Sequence, residues 1–187
     1  MSNDAKIFQL KAVLVGSRPA IWRKIAVPAD YSFFDLHVAL QDAFGWQDSH
    51  LHQYLTAEPY KRGSDYQRIA FPDPEAEDVI DERKEKLTAW FKKPKDVLWY
   101  EYDFGDGWMH TITLEQISVK AAKQTYPLLL DGKGACPAED CGGIGGYYDL
   151  LEVLKNPKDK EHNDMLEWLG IERGSDFDTE RFDKDGT

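Results

Sequence analysis

Residues 100–110 read Tyr100-Glu101-Tyr102-Asp103-Phe104-Gly105-Asp106-Gly107-Trp108-Met109-His110, and this stretch decides the fold class of the chain. Apolar and polar residues alternate on both sides of its Gly-Asp-Gly centre, which is the pattern of half-buried strands. Glycine and aspartate tolerate the positive φ angles of tight hairpin turns. The stretch therefore predicts a β-hairpin with strands over 97–104 and 108–117.

The side-chain pattern also predicts the register of this hairpin. A two-residue turn at 106–107 would place Asp103 opposite His110, whereas a three-residue loop at 105–107 would place Tyr102 there. Directly opposed residues share a face of the sheet, and only the three-residue loop joins the apolar residues of both strands. We therefore expect that loop, with a glycine in the left-handed conformation. The predicted apolar face consists of Leu98, Tyr100, Tyr102, Phe104, Trp108, His110, Ile112 and Leu114.

Two roles fit His110 on this face. It is either a core histidine with one ring nitrogen bonded to a buried partner, or a histidine that lines a pocket. The core role is favoured because the sequence fixes no second catalytic group beside it. Asp103 falls on the other face, and a turn role is sufficient for Asp106 at the tip. The pattern therefore argues against a simple Asp103–His110 dyad.

Hydrophobic periodicity divides the remaining chain into strands followed mainly by helices. Alternation predicts strands over 6–15, 21–27 and 50–57, and helical spacing predicts helices over 33–44, 82–92, 147–155 and 158–169. Residues 58–81 are predicted as a long connection, 118–146 as an irregular segment, and 174–187 as an acidic, flexible tail with Phe177 and Phe182 as anchors. This order favours a single α+β domain that spans residues 1–187. We expect a mainly antiparallel sheet with a central hairpin at 97–117, helices packed on the sheet and a helical C-terminal part.

The composition is acidic, since 34 Asp and Glu oppose 23 Lys and Arg for a net charge of −11. Nucleic-acid binding depends on a basic surface, so this excess argues against a nucleic-acid partner. No apolar run approaches the roughly 20 residues that span a membrane. The first residues lack the basic-then-apolar plan of a signal peptide. We therefore expect no membrane partner and a cytoplasmic location.

The segment 135–148, ACPAEDCGGIGGYY, contains both cysteines of the chain. Cys136 and Cys141 are not spaced like the usual close pair of a zinc site, and a structural zinc needs two further ligands. The glycines precede a predicted helix, whose N-terminus could hold an anion, but Glu139 and Asp140 would repel a phosphate. We therefore expect reduced cysteines in a tight loop and neither a metal nor a cofactor. His50 and His52 share one face of their predicted strand, which is weak evidence for a metal.

Several ordered stretches resemble the plasmid pRiA4b ORF-3-like family. They are Pro19-Ala20-Ile21-Trp22-Arg23-Lys24-Ile25; Leu36-His37 with Phe44-Gly45-Trp46 and His50-Leu51-His52; Tyr100 to His110; and Cys136-Pro137-Ala138-Glu139-Asp140-Cys141-Gly142-Gly143 followed by Gly146-Tyr147. With the tail stretch Phe177 to Asp183, the resemblance covers about residues 18–183. Ala138 and Thr179 stand where members tend to have proline. Leu130 or its neighbours stand where many members have another cysteine, which argues against a cysteine-based metal site.

This resemblance implies an α+β domain and an association with mobile elements, but it implies no activity. Some members are labelled as related to site-specific recombination. Residues Ile7 to Ser17 lack the nucleophilic serine amid arginines that a serine resolvase needs, so that activity is not transferred to this chain.

Three functional hypotheses follow. The first is a non-catalytic binding or adaptor domain for an unknown protein or small ligand, and the second is a metal-assisted or hydrolase-like enzyme. The third is a nucleic-acid-associated factor of a mobile element, which the net charge disfavours. An enzyme would require at least three candidate side chains in one cleft. The candidate binding residues are His50, His52, Asp103, Asp106, Trp108, His110, Glu139 and Asp140.

Overall fold

The computed structural model describes residues 5–73 and 78–184. The strands in this part are β1 (Lys6–Leu14), β2 (Trp22–Pro28), β3 (His52–Leu55), β4 (Arg68–Ala70), β5 (Val79–Asp81), β6 (Val97–Tyr102), β7 (Trp108–Val119) and β8 (Leu128–Lys133). The α-helices are α1 (Phe33–Phe44), α2 (Gly143–Lys155) and α3 (His162–Leu169). The predicted α+β class, with a helical C-terminal part, is confirmed. None of the helices within the described ranges has the length and apolar character needed to cross a bilayer.

All eight strands form one sheet in the order β5-β4-β3-β6-β7-β1-β2-β8. Neighbouring strands are antiparallel, except that β4 and β5 are parallel. The β6–β7 hairpin lies near the middle of this order, as its sequence predicted. Its long second strand pairs with β1 and thereby joins the two halves of the sheet.

Helix α1 packs its apolar side chains into the core. Ser32 caps its N-terminus in a capping box with Asp35, and Gly45 ends it in the left-handed conformation. Phe33, Leu36 and Leu40 recur at helical spacing and are buried in the cluster that includes Tyr54 and Tyr100 of the sheet. The capping signals at 32 and 45 thus place the helix where the sequence predicted it.

The predicted three-residue hairpin loop is wrong. Tyr102 pairs with Trp108 and Tyr100 pairs with His110, so residues 103–107 form a five-residue connection. Asp103 starts the turn: its φ is 57°, and its carbonyl oxygen accepts a hydrogen bond from the Gly107 amide at 2.6 Å. A shift of two residues preserves the face of every side chain, since strands have a period of two.

The predicted apolar face is therefore right except for Phe104, which belongs to the turn. Tyr100, Tyr102, Trp108 and His110 are buried, as the sequence predicted, whereas 52% of Phe104 is exposed. Asp103 also lies in the turn and not on the opposite face of a strand. It is nevertheless nearly buried, with 7% of its surface exposed.

Four further boundaries differ from the predictions. The expected helix over 82–92 contains one 3-10 turn at Leu87–Ala89, because buried tertiary contacts of Glu82 and Leu87 take precedence over helix propensity. The connection 58–81 contains β4 and β5, and the segment 118–146 contains the end of β7, β8 and the start of α2. Helix α3 begins at His162 and not at 158, since 158–161 form turns.

Between residues 174 and 184 the chain contacts the sheet. Phe177 packs against the core, the guanidinium of Arg23 lies 5.0 Å from the ring centroid of Phe182, and the Thr179 carbonyl oxygen accepts a hydrogen bond from the Ala135 amide. The last three residues of the predicted tail, 185–187, lie outside the described ranges.

We expect buried His110 to make the unfolding free energy depend on pH. Its Nδ1–H donates to the Trp108 carbonyl oxygen at 3.0 Å, and its Nε2 has no hydrogen-bond partner in the described part of the chain. Burial lowers the pKa of His110 to about 3. As pH decreases, His110 binds a proton in the unfolded chain at a higher pH than in the folded chain. The contribution of neutral His110 to the free energy of unfolding is therefore fully present above about pH 6.5. Below that pH, the free energy of unfolding falls by up to about 1.4 kcal/mol per pH unit as pH decreases toward 3.

The measurement is urea unfolding from pH 7 to pH 4, with imidazole NMR of the folded protein. We expect the His110 ring to stay neutral, with its proton on Nδ1, at pH 5. The variant His110→Gln should show a smaller decrease in stability over the same pH range, whatever its stability at pH 7. A His110 resonance that titrates near pH 6.5 would contradict the prediction.

Candidate functional site

Three segments meet beyond the β6–β7 turn, and we call this region the hairpin end: the turn 103–107, the segment 46–51 after α1, and the loop 136–142 before α2. The indole Nε1–H of Trp46 donates to the Pro137 carbonyl oxygen at 3.1 Å. The Gly142 amide donates to Asp106 Oδ2 at 3.1 Å. These bonds join the loop 136–142 to both other segments.

Tyr102 and Glu139 complete the connection between the three segments. The Tyr102 hydroxyl donates to Glu139 Oε1 and accepts a hydrogen bond from the Ser49 amide at 3.0 Å. Burial, followed by the bond to Glu139, raises the pKa of Tyr102, so the hydroxyl stays protonated and remains a donor. Glu139 also accepts from the Gln47 amide at 3.3 Å. Glu139 and Asp106 therefore hold the hairpin end together.

His50, Asp103 and Asp140 converge at the centre of the hairpin end. The Nε2 atom of His50 lies 3.2 Å from Asp140 Oδ1 and 3.7 Å from Asp103 Oδ2. One potential donor atom from each of the three residues lies within 4.8 Å of the other two. Asp103 is nearly buried, whereas 69% of the Asp140 side chain is exposed. The site is thus open to solvent on the side of Asp140.

His52 belongs to a different cluster. Its ring stacks on that of His37 with centroids 3.4 Å apart, and its Nε2 bonds Glu82 Oε2 at 2.7 Å. The predicted strand over 50–57 starts too early, because β3 begins at His52 and His50 precedes the strand. Only strand residues obey the two-residue alternation.

The stack is enclosed by further polar side chains. His37 bonds Asp48 through Nε2 and the Tyr100 hydroxyl through Nδ1, both at 2.8 Å. Burial, and next the neighbouring His52, lower the pKa of His37, although Asp48 opposes the shift. Of these residues, sequence reasoning did not select His37, Asp48 or Glu82 as site residues. Of these three, only His37 lies in a stretch that was noted in the sequence, because the pair Leu36-His37 resembles the family.

Trp108 and His110 do not reach the hairpin-end surface. Both are buried in the core, where the indole of Trp108 lies against Trp46. Neither the Trp108 Nε1 nor the His110 Nε2 has a hydrogen-bond partner among the described residues. Both rings contact Trp46, which belongs to the hairpin end.

Both cysteines are free thiols in the loop before α2. Burial raises the pKa of the Cys141 thiol to about 12, and it raises the pKa of Cys136 further above its usual range. Thiolate is the nucleophilic form of cysteine, so neither side chain suits covalent catalysis at neutral pH.

A groove of about 360 Å³ lies beside the hairpin end, between α2 and α3, and we call it the α2–α3 groove. Asp140 lies on its rim and belongs to both features. Trp168 of α3 also lines the groove and is 46% exposed. Its lining also includes Asp149, Leu150, Val153, Glu161 and Met165.

The comparison with known proteins identifies the family. The sequence model of the family described as plasmid pRiA4b ORF-3-like protein matches residues 6–186. This chain belongs to the plasmid pRiA4b ORF-3-like family. The uncharacterised protein y4hQ of Sinorhizobium fredii (strain NBRC 101917 / NGR234) is similar, with 34% identity over 177 residues that cover 94% of this chain and 85% of that protein.

A crystal structure shares the fold of this pRiA4b ORF-3-like chain. It is the protein of unknown function MM3350 from Methanosarcina mazei Go1, with 37% identity, a TM-score of 0.82 and 97% of each chain covered. Neither relative's description names an activity, so the function must be argued from this chain's own residues.

Three stretches that resemble the pRiA4b ORF-3-like family converge at the hairpin end. They are the stretch around Trp46 and His50, the hairpin from Tyr100 to His110, and the loop from Cys136 to Gly143. Residues that are distant in the chain therefore build one solvent-facing site. This convergence makes the hairpin end the candidate functional site of the family fold.

Proposed function

We propose that this chain is a non-catalytic binding domain whose partner is a basic segment of another protein. The binding surface is the hairpin end together with the α2–α3 groove. One observation carries the proposal: an exposed tryptophan, Trp168, lies in a groove whose ionisable rim is acidic.

The charges of the groove favour a cationic partner. Asp140, Asp149 and Glu161 contribute carboxylates, and none of the residues lining the groove is basic. Glu161 is paired with Lys160, which lies outside the lining, whereas Asp149 has no ion pair within the described ranges. Complementary charge speeds association and selects among partners.

The apolar side chains of the groove favour a segment that also carries apolar residues. Leu150, Val153 and Met165 line it with Trp168. Exposed tryptophan is enriched among the residues that dominate binding free energy, and methionine adapts to varied partners. A short segment that alternates basic and aliphatic residues combines both requirements.

A metal-assisted enzyme is the second candidate function. The convergence of His50, Asp103 and Asp140 favours it, because three of the candidate residues then share one solvent-accessible site. Neither cysteine is available as a thiolate nucleophile at neutral pH, so such an enzyme would rely on a metal-bound water and not on a thiol.

The test uses a fluorescently labelled peptide of alternating leucine and arginine, with binding measured by anisotropy. We expect saturable binding that weakens as salt concentration rises, since charges are screened. Trp168→Ala should weaken binding about 30-fold, which corresponds to about 2 kcal/mol for an interface hot spot.

Two controls accompany this measurement. Phe71→Ala removes another exposed aromatic side chain, which is 57% accessible and does not line the groove, and it should leave the affinity unchanged. A peptide with glutamate in place of arginine should not bind. Equal binding of both peptides, or a Trp168→Ala affinity equal to that of the unmodified protein, would refute the basic partner.

A further inference from the structure

We propose that His50, Asp103 and Asp140 form a binding site for a divalent transition-metal ion, of which Mn²⁺ and Zn²⁺ are the fitting examples. The site lies at the centre of the hairpin end. Donor geometry and donor chemistry define this site, so a bound metal ion is a property separate from the binding of a basic partner and does not depend on that binding.

The distances fit donors that share one ion. Nitrogen and carboxylate donors lie about 2.0–2.2 Å from Zn²⁺, so two donors of the same ion can be at most about 4.4 Å apart. His50 Nε2 is 3.2 Å from Asp140 Oδ1 and 3.7 Å from Asp103 Oδ2, and both distances are below this limit. The exposed side chain of Asp140 has room to rotate and bring its oxygen closer to that of Asp103.

The ring nitrogen of His50 is an independent indication of a ligand. Its Nε2 is buried and makes no hydrogen bond with any described residue, although two carboxylate oxygens lie close to it. A buried polar atom without a partner is uncommon in native proteins, and a bound water or ion is one explanation for it. Trp108 Nε1 and His110 Nε2 also lack partners among the described residues, but only His50 Nε2 faces two carboxylate oxygens from other segments. An ion between Nε2 and the carboxylates would satisfy the nitrogen lone pair and both negative charges.

The donor types select the class of metal. Imidazole nitrogen favours transition metals over Mg²⁺ and Ca²⁺, which prefer oxygen ligands alone, and carboxylates suit Mn²⁺ and Zn²⁺. Three protein donors leave at least one coordination position open on the solvent side, where Asp140 is exposed. Such a site can accept water or a further ligand.

Asp103 is held in place before any ion binds. Its Oδ1 accepts a hydrogen bond from the Gly105 amide at 2.9 Å, and its own amide donates to the Leu51 carbonyl oxygen at 2.9 Å. These bonds leave Oδ2 as the atom that faces His50. Hydrogen bonds that orient a ligand in this way increase metal affinity.

The neighbouring cluster of His37, Asp48 and His52 does not offer the same site. Its two rings are stacked, with an angle of 4° between their planes. The nitrogen lone pairs lie in the ring planes, so parallel rings direct them alongside one another and not toward one ion. The Nε2 atoms are also already bonded to Asp48 and Glu82.

The test titrates protein freed of metal by EDTA, with Mn²⁺ followed by electron paramagnetic resonance and Zn²⁺ by calorimetry. We expect one equivalent of each ion to bind and Mg²⁺ to bind far more weakly. Asp140→Asn and His50→Gln should each weaken binding at least tenfold. Asp140 is exposed, so Asp140→Asn should fold normally even if His50→Gln does not.

Three control variants locate the ion. Asp42→Asn changes an exposed carboxylate of α1, His52→Gln changes the neighbouring cluster, and Cys141→Ser removes a thiol from the loop. All three should bind as the unmodified protein does. The proposal is overturned if no saturable binding occurs, if binding survives both Asp140→Asn and His50→Gln, or if His52→Gln or Cys141→Ser abolishes it. No peptide is present, so the result is independent of the test for a basic partner.

Discussion

Replacing Gly143 by alanine should lower the free energy of unfolding by about 2–5 kcal/mol. Gly143 has a φ of +67°, and an added Cβ would lie 2.2 Å from the Asp106 carbonyl oxygen, which is a backbone atom and cannot rotate away. Left-handed conformation costs about 1–2 kcal/mol for a residue with a side chain, and overpacking adds about 1–3 kcal/mol. Urea unfolding measures the change.

Gly145 provides the matched control two residues further along the same helix. An added Cβ there meets nothing within 4 Å, and its φ is not positive. Alanine has the higher helix propensity, so Gly145→Ala should raise stability by about 0.5–1 kcal/mol. Equal effects of the two substitutions would contradict the close approach of α2 to the hairpin turn.

The same substitution also reports on the site. Gly143 follows the loop that carries Asp140, and the Asp106 backbone is its contact across the hairpin end. A shift that relieves the clash moves the loop that carries Asp140 relative to the turn that carries Asp103. We therefore expect folded Gly143→Ala protein to bind Mn²⁺ more weakly, whereas Gly145→Ala should retain the affinity.

Replacing Arg23 by alanine should lower the free energy of unfolding by about 4 kcal/mol. Arg23 is buried, and its guanidinium donates to the carbonyl oxygens of Ala43, Gly134 and Lys133 at 2.8, 3.0 and 3.2 Å. It thereby ties the last turn of α1 to the end of β8. Hydrogen bonds to charged groups contribute about 1.5–3 kcal/mol each, and alanine removes the donor that these three carbonyl groups share.

Two further variants separate geometry from charge. Arg23→Lys keeps the charge but lacks the planar fork of donors, so it should recover only part of the loss. Lys24→Ala removes a partly exposed ion pair with Glu115 at 2.7 Å and should cost no more than about 1 kcal/mol. If Arg23→Lys were as stable as the unmodified protein, the role assigned to the guanidinium geometry would be wrong.

Residue patterns within one element predicted that element well. Ser32 and Gly45 predicted the two ends of helix α1, and the alternation around residues 100–110 predicted the hairpin and its buried face. These signals are local, because capping and side-chain alternation depend on residues a few positions apart. The loop length was wrong because Asp103 takes a positive φ, which the pattern of apolar residues does not encode.

Elements held by distant contacts were predicted less well. The apparent helix over 82–92 gave way to a 3-10 turn, since Glu82 bonds His52 and the Leu87 amide bonds the Tyr31 carbonyl oxygen. The strand β8 was missed because its partner β2 is about 100 residues away in the chain. Pairing over such a distance leaves no periodic signal of its own.

The sequence alone determined the class of fold, the family and most of the residue types at the site. It supplied His50, Asp103 and Asp140 as candidates, but it could not show that they meet, nor that His52 turns away to Glu82. Only the tertiary structure decided this, because the site is assembled from three segments that the sheet and the bonds of Asp106, Glu139 and Trp46 bring together. The chemistry of each side chain follows from its residue type alone, whereas the distance between remote residues depends on how the whole chain packs.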